Sequence, residues 1–341
     1  MNKNVFLSVA AALMLAACSN DDQLPPEETP IRLSAGLDVA AGTRGITDNS
    51  YNATVFNGGE TIDVNIVETG SPASPSVIYG PDGWLTATIG AAGAGATLSS
   101  ACYWPGSGAG IDIYAWYPVS TATTYWTTAH SVFKVPATQS GSTDLKAFDL
   151  MYATPVGGDG TNSQTVPSTS RTSAINLQFT HKLAKLVVTL APKDASSGVT
   201  LDDLKNATVT IGDVQTTADV TAATGAVAAS TASTETLTIM ADEAGTTGYA
   251  LIPAQTLSGT LTVTLKAGGA MTATLSGFEV LAGQTNTLNV SVSLTDITVT
   301  TSIVDWTPNN TAGTADLKLF YVAIQIIGKY LLFINYSVSI T

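Results

Sequence analysis

Charge is scarce in this sequence. Only 11% of its 341 residues are Asp, Glu, Lys or Arg, and the 13 Lys and Arg are outnumbered by 26 acids, giving a formal net charge of −13. Nucleic acid binding needs clustered cations, and this surface lacks them. Histidine is scarcer still, with His130 and His181 alone. Neither sits in a spacing that supplies metal ligands or a Ser-His-Asp arrangement, so they read as structural histidines bonded to backbone. No catalytic or cofactor motif accompanies them; an enzyme and a bound cofactor are not expected. The two cysteines are Cys18 and Cys102. If Cys18 is modified, Cys102 has no partner within the chain, which excludes a disulfide framework. Thr, Ala, Val and Gly are abundant instead. Thr and Val are β-branched and favour strands. The composition points to an all-β exported protein, and its length admits two domains with a core each.

The first 17 residues look built to be removed. Met1-Asn2-Lys3-Asn4 is a short n-region with one Lys, Val5 to Leu15 is apolar, and small residues follow: a secretory signal peptide. The apolar run is too short to span a bilayer. Leu15-Ala16-Ala17-Cys18 resembles a bacterial lipobox, in which the Cys thiol takes a diacylglycerol and becomes the new N-terminus. Each buried methylene contributes about 0.8 kcal/mol to membrane anchoring. The acidic pair Asp21-Asp22 resembles the tether that sends Bacteroides-type lipoproteins to the cell surface. Residues 18–44 read as a lipidated tether followed by a strand, since Ile31, Leu33, Ala35, Leu37 and Val39 share one parity. The strand is followed by Ala40-Ala41-Gly42-Thr43-Arg44-Gly45, a small-residue stretch with one basic residue, either a protease-accessible loop or a solvated turn.

From residue 46 onward short strands alternate with Gly/Pro turns, the pattern of a β-sandwich. Candidates include 51–56, 61–67, 76–79, 84–89, 111–117 and 132–135, with a Gly/Ala loop up to Ala96. Tyr103, Trp104, Tyr114, Trp116 and Tyr117 could stack on sugar rings, but packing in the core is the more economical use. Gly157 to Ser170 is polar and reads as a linker. It divides an N-terminal sandwich (45–172) from a C-terminal one (173–316). The latter opens with Ile175, Leu177 and Phe179 alternating, and continues with strands at 207–211, 235–240, 248–252, 261–265, 271–275, 287–294 and 298–306.

Several stretches, in order, carry a family resemblance. They are the lipobox with Cys18, Arg44-Gly45, Phe148-Asp149-Leu150-Met151-Tyr152-Ala153 and Phe179-Thr180-His181-Lys182-Leu183-Ala184-Lys185-Leu186. Tyr249-Ala250-Leu251-Ile252-Pro253-Ala254-Gln255, Gly283-Gln284-Thr285-Asn286 and Ile303-Val304-Asp305-Trp306 complete the set. The chain resembles the fimbrillin family, lipoprotein subunits of Bacteroidales type V pili. The resemblance implies two tandem transthyretin-like β-sandwich domains and an assembly mechanism. A lipidated precursor reaches the outer membrane surface, and a trypsin-like protease cuts after the Arg at the position of Arg44. The N-terminal strand leaves, and a C-terminal strand of another pilin subunit fills the groove, building a head-to-tail homopolymer for adhesion. That is β-augmentation through a contact that does not close.

The tail at 317–341 is apolar. Phe320, Val322, Ile324 and Ile326 share a parity, as do Leu332, Ile334, Tyr336, Val338 and Ile340. This suits a polymerisation strand. A membrane helix is the rival, although Gln325, Lys329 and Asn335 interrupt it. The family usually ends in a short polar stretch, so the tail departs from the pattern. A permanently lipid-anchored surface protein (a pilus anchor, tip or glycan-binding adhesin) is the second reading, and a surface hydrolase the weakest.

Overall fold

The computed structural model describes residues 29–37, 56, 58–69, 83–90, 95–121, 125–140, 145–156, 164–241 and 245–305. In the first half these form β1 (Leu33–Leu37), β2 (Thr61–Glu68), β3 (Leu85–Ile89), β4 (Gly95–Leu98), β5 (Ile111–Tyr117), β6 (Trp126–Thr128), β7 (Val132–Lys134) and β8 (Thr138–Gln139). β9 (Met151–Val156), β10 (Thr165–Val166), β11 (Ile175–His181) and β12 (Ala184–Pro192) follow. After the short helix α1 (Leu201–Leu204) come β13 (Thr208–Val214), β14 (Thr217–Thr221), β15 (Ala226–Ala229), β16 (Glu235–Met240) and β17 (Thr247–Ile252). The last are β18 (Gln255–Leu257), β19 (Thr260–Thr264), β20 (Ala270–Thr274), β21 (Phe278–Val280), β22 (Gln284–Val292) and β23 (Ile297–Asp305). The chain is all-β apart from α1 and single turns, as its β-branched composition dictates.

Eight strands of the first half form one sheet in the order β10-β5-β2-β3-β4-β1-β11-β9. β5 also pairs with β9, Ala115 opposite Ala153 and Tyr117 opposite Met151. The second pairing closes seven strands into a ring, which leaves no free edge between them. Alternation drives this. Ile62, Val64 and Ile66 on β2, and Ile111, Ile113 and Ala115 on β5, turn inward and are fully buried. In the second half a four-stranded sheet, β17-β12-β22-β23, faces a five-stranded one, β20-β19-β13-β16-β8. A core of Leu186, Val188, Val209, Ile239, Val263 and Leu288, among others, lies in this half.

A third, aromatic core contains Trp116, Trp126, Phe133, Phe148 and Tyr152 from the first half, with Leu183, Val220 and Leu251. Trp116 meets Trp126 edge-on at 5.9 Å, a favoured aromatic geometry. The backbone also crosses between the halves. β8 pairs parallel with β16, and β14 pairs with β7, Ala218 opposite Phe133. The buried Gln139 side chain binds both the N–H and the C=O of Leu251, at 2.9 and 3.0 Å.

Strand pairing corrects three expectations. β11 was expected in the second unit, yet it is hydrogen-bonded in the first sheet, between β1 and β9. The step between the two sheet systems falls instead at Lys182-Leu183. The expected linker 157–170 contains β10, whose Val166 pairs with Ile111 and is buried. The Gly/Ala loop ends earlier than expected, because Gly95 and Ala96 already belong to β4.

Candidate functional site

β1 is the strand whose placement has functional weight. Ile31, Leu33 and Ala35 are 6%, 3% and 2% exposed, while Arg32 between them is exposed. The alternation thus puts one apolar row inside the ring. β1 runs parallel to β11, Leu33 opposite Ile175 through Leu37 opposite Phe179. On its other side it meets β4 antiparallel, Leu33 opposite Ala96 and Ser34 opposite Gly95. A Cβ at Gly95 would come within 3.4 Å of the Leu33 carbonyl oxygen, so a side chain there would crowd β1. Ile31 N–H donates to the Cys102 carbonyl at 2.8 Å, and Ile175 N–H to the Arg32 carbonyl at 2.9 Å.

Burying Ile31 and Leu33 contributes about 1.5–3 kcal/mol each. Removing β1 would uncover the apolar faces of β4 and β11 and leave both ladders unpaired, which converts the closed ring into an open groove. A cavity of about 300 Å³ already lies beside the strand, lined by Ile31, Leu33, Ala96, Leu98 and Cys102 among others. Burial pushes the Cys102 thiol up to about 11.

The mouth of the ring lies where the chain enters β1. Trp104 N–H donates to the Thr29 carbonyl at 2.9 Å, and Pro30 bridges to Tyr103. The Arg171 guanidinium lies 5.9 Å from the centre of the Trp104 ring. Among the described residues, the buried Trp104 Nε1 and Arg171 Nε and Nη2 find no hydrogen-bond partner. Sequence reading missed Arg171 because it lies in the Ser/Thr-rich stretch taken for a linker and its neighbour. Nothing local distinguishes it there from a solvated cation.

Cys18, Arg44, Gly45 and the tail positions Phe320, Val322, Ile324, Ile326, Leu332, Ile334, Tyr336, Val338 and Ile340 lie outside the described residues. Of the aromatic cluster, Tyr103 and Tyr114 are half-buried and the other three are packed in the cores. Trp104, Trp116 and Tyr117 are buried, so they offer no open platform for a sugar. Each histidine pairs with a buried carboxylate, His130 Nε2 with Asp63 at 2.9 Å and His181 Nδ1 with Asp149 at 2.8 Å. His130 is stacked on Trp84 at 3.8 Å. Among the described residues no three potential ligands converge on a metal position.

The sequence profile of the fimbrillin-like family matches residues 43–306. The chain belongs to the fimbrillin-like family. It is similar to a Bacteroides uniformis protein named as fimbrium subunit Fim1C, 26% identical over 329 residues, covering 90% of this chain and 95% of the relative. Among solved structures, a Bacteroides uniformis protein described as a cell adhesion protein matches with a TM-score of 0.58 at 20% identity. It covers 82% of this chain and 100% of the other. A Bacteroides ovatus protein with the same description matches with a TM-score of 0.56 at 17% identity, covering 82% and 98%. At such identities the likeness is one of fold. The fimbrillin-like chain is not an enzyme: its family is fimbrial, and the curated relative is named as a fimbrium subunit.

Proposed function

We propose that this fimbrillin-like protein is a structural subunit of a cell-surface fimbria that supports adhesion. It is exported as a lipoprotein precursor. The diacylglycerol on Cys18 holds it on the outer membrane. A trypsin-like protease cuts after Arg44, the mature chain begins at Gly45, and subunits polymerise head to tail by donor-strand exchange. The tail at 317–341 is the donor. The fold is two tandem transthyretin-like sandwiches, with β11 counted in the first.

One observation carries this reading. β1 closes the ring, and it ends at Leu37, seven residues before Arg44. A single cut there separates β1 from the rest of the chain covalently while leaving every other strand of the ring in it. Loss of β1 leaves an apolar groove with two unpaired edges, which needs a replacement strand. A contact between one subunit's tail and the next subunit's groove is heterologous and does not close, so it propagates as a filament. The family match, which begins at Thr43 and ends at Trp306, supports this division of the chain.

Arg44→Ala, expressed in the native cell, tests the reading. It predicts full-length lipidated monomer at the surface and no filaments. Normal filaments from that variant would refute it.

A further inference from the structure

Resting on the strand-replacement reading above and deepening it, we infer that the ring opens at one seam, between β1 and β4. β1 parts from β4 first and stays on β11 until last.

The two sides of β1 are built unequally. Toward β11 the ladder is unbroken from Leu33 opposite Ile175 to Leu37 opposite Phe179, and the bond from Ile175 N–H to the Arg32 carbonyl extends it by a residue. Toward β4 the pairing is confined to Leu33 opposite Ala96 and Ser34 opposite Gly95. β4 ends at Leu98, and the chain meets the start of β1 again at Cys102 to Trp104. There the Cys102 carbonyl accepts from Ile31 N–H, Pro30 bridges to Tyr103, and Trp104 N–H donates to the Thr29 carbonyl. The cavity of about 300 Å³ is lined from both sides of this interrupted seam, by Ile31 and Leu33 on β1 and by Ala96, Leu98 and Cys102 opposite.

The inward row of β4 shows the same looseness. Ile62, Val64 and Ile66 on β2, Leu85, Ala87 and Ile89 on β3, and Ile175, Leu177 and Phe179 on β11 are all 4% exposed or less. Ala96 and Leu98 pack against the same core yet are only half-buried. A half-wet apolar face stabilises less than a buried one, and the wall of a void lacks partner atoms on one side. β3 holds β4 independently, from Ala87 opposite Leu98 to Ile89 opposite Ala96, so parting the seam loses only the contacts across it. Beyond Ser34, residues Ala35, Gly36 and Leu37 pair with β11 alone among the described residues. That is the end of β1 nearest to Arg44 in sequence. A cut there frees the end held on one side only, and unpairing runs from it along the seam toward Ile31, as a local opening that leaves the rest of the ring folded.

Amide hydrogen exchange in the uncleaved full chain, read by NMR, tests this. Ile31 and Trp104 N–H bond across the seam, and Ile175 N–H bonds on the other side of β1. The first two are expected to be less protected than Ile175 by about tenfold or more. Leu98→Phe, which adds bulk toward the cavity, should raise the protection of Ile31 and Trp104 by about tenfold and leave Ile175 unchanged; Leu98→Ala should lower the same two amides by a similar factor. If Leu98→Phe fails to fold, the natural chain and Leu98→Ala decide the matter. Equal protection on the two sides of β1, or a change of all three amides together in Leu98→Ala, would overturn the seam and leave the donor-strand reading to its own test with Arg44→Ala. Normal filaments from Arg44→Ala would remove the strand release that the seam serves, and this inference would fall with that reading.

Discussion

Leu33→Ala separates a strand that is part of the finished protein from one that is only a placeholder. Leu33 is 3% exposed on β1, and Leu177, fully buried on β11, lies on the neighbouring strand of the same ring. Each truncation removes the same side-chain atoms from a tightly packed wall, at a cost of about 2–5 kcal/mol. For a domain of this size each kcal/mol lowers the midpoint by about 2–4 °C, so a loss of about 3 kcal/mol is about 6–12 °C. In the uncleaved precursor both variants should therefore melt lower by similar amounts. In filaments the outcomes should diverge. Leu177→Ala weakens the groove wall and should lower the dissociation temperature. Leu33→Ala should leave the filament unchanged, because residue 33 is no longer in it. Calorimetry of precursor monomers, alongside thermal dissociation of isolated filaments, reads both. Filaments of Leu33→Ala that dissociate as early as those of Leu177→Ala would show that β1 stays in place, and the replacement argument would fail.

Cys102 offers a reporter of the same event. Cys102 is 1% exposed, and Ile31 N–H donates to its backbone carbonyl, so a maleimide should label the thiol slowly in the precursor and faster when β1 is released without a replacement; equal rates would contradict the groove. Burial keeps this thiol neutral up to about 11, above its ordinary 9.0, so it favours the folded state below pH 9. That contribution should fade as pH rises from 9 to about 11, and Cys102→Ala should flatten this part of the stability profile. Gly225→Ala should destabilise the protein by about 1–3 kcal/mol or more, because φ is +68° and the added Cβ would collide with the Tyr152 ring; an unchanged melting point would refute the packing of that turn. The aromatic core and the crossed strand pairs predict a single cooperative unfolding transition for the two halves, and two separated calorimetric peaks would contradict this.

Several strands were legible from alternation, although β14, whose Ala218 and Val220 alternate inward over five residues, was not. Ile31 to Val39, Ile111 to Tyr117 and Ile175 to Phe179 alternate in the sequence, and the structure puts Leu33–Leu37, Ile111–Tyr117 and Ile175–Phe179 in a sheet. Sheet membership was less legible, because it depends on partners far away in sequence. β11 follows a polar stretch and precedes β12 directly, so nothing near it reveals that its neighbours are β1 and β9. β8 and β10 have two residues each, too few to show a period. β14 and β15 are rich in Ala and Thr and join the two halves through backbone pairing and turn carbonyls; Trp116 Nε1 donates to the Ala222 carbonyl and Tyr152 Oη to the Ala223 carbonyl. Neither contact leaves a trace in hydrophobic pattern. The histidines were read as bonded to backbone, yet each pairs with a buried carboxylate, Asp63 or Asp149, apparent only once the chain has folded.

The most direct measurement is the N-terminal sequence and intact mass of the protein in filaments sheared from its native cell surface. The account predicts a chain that begins at Gly45 and carries no lipid, with residues 1–44 absent. A chain that begins at an acylated Cys18 would contradict it, because β1 would still close the ring and no groove would exist for a second subunit.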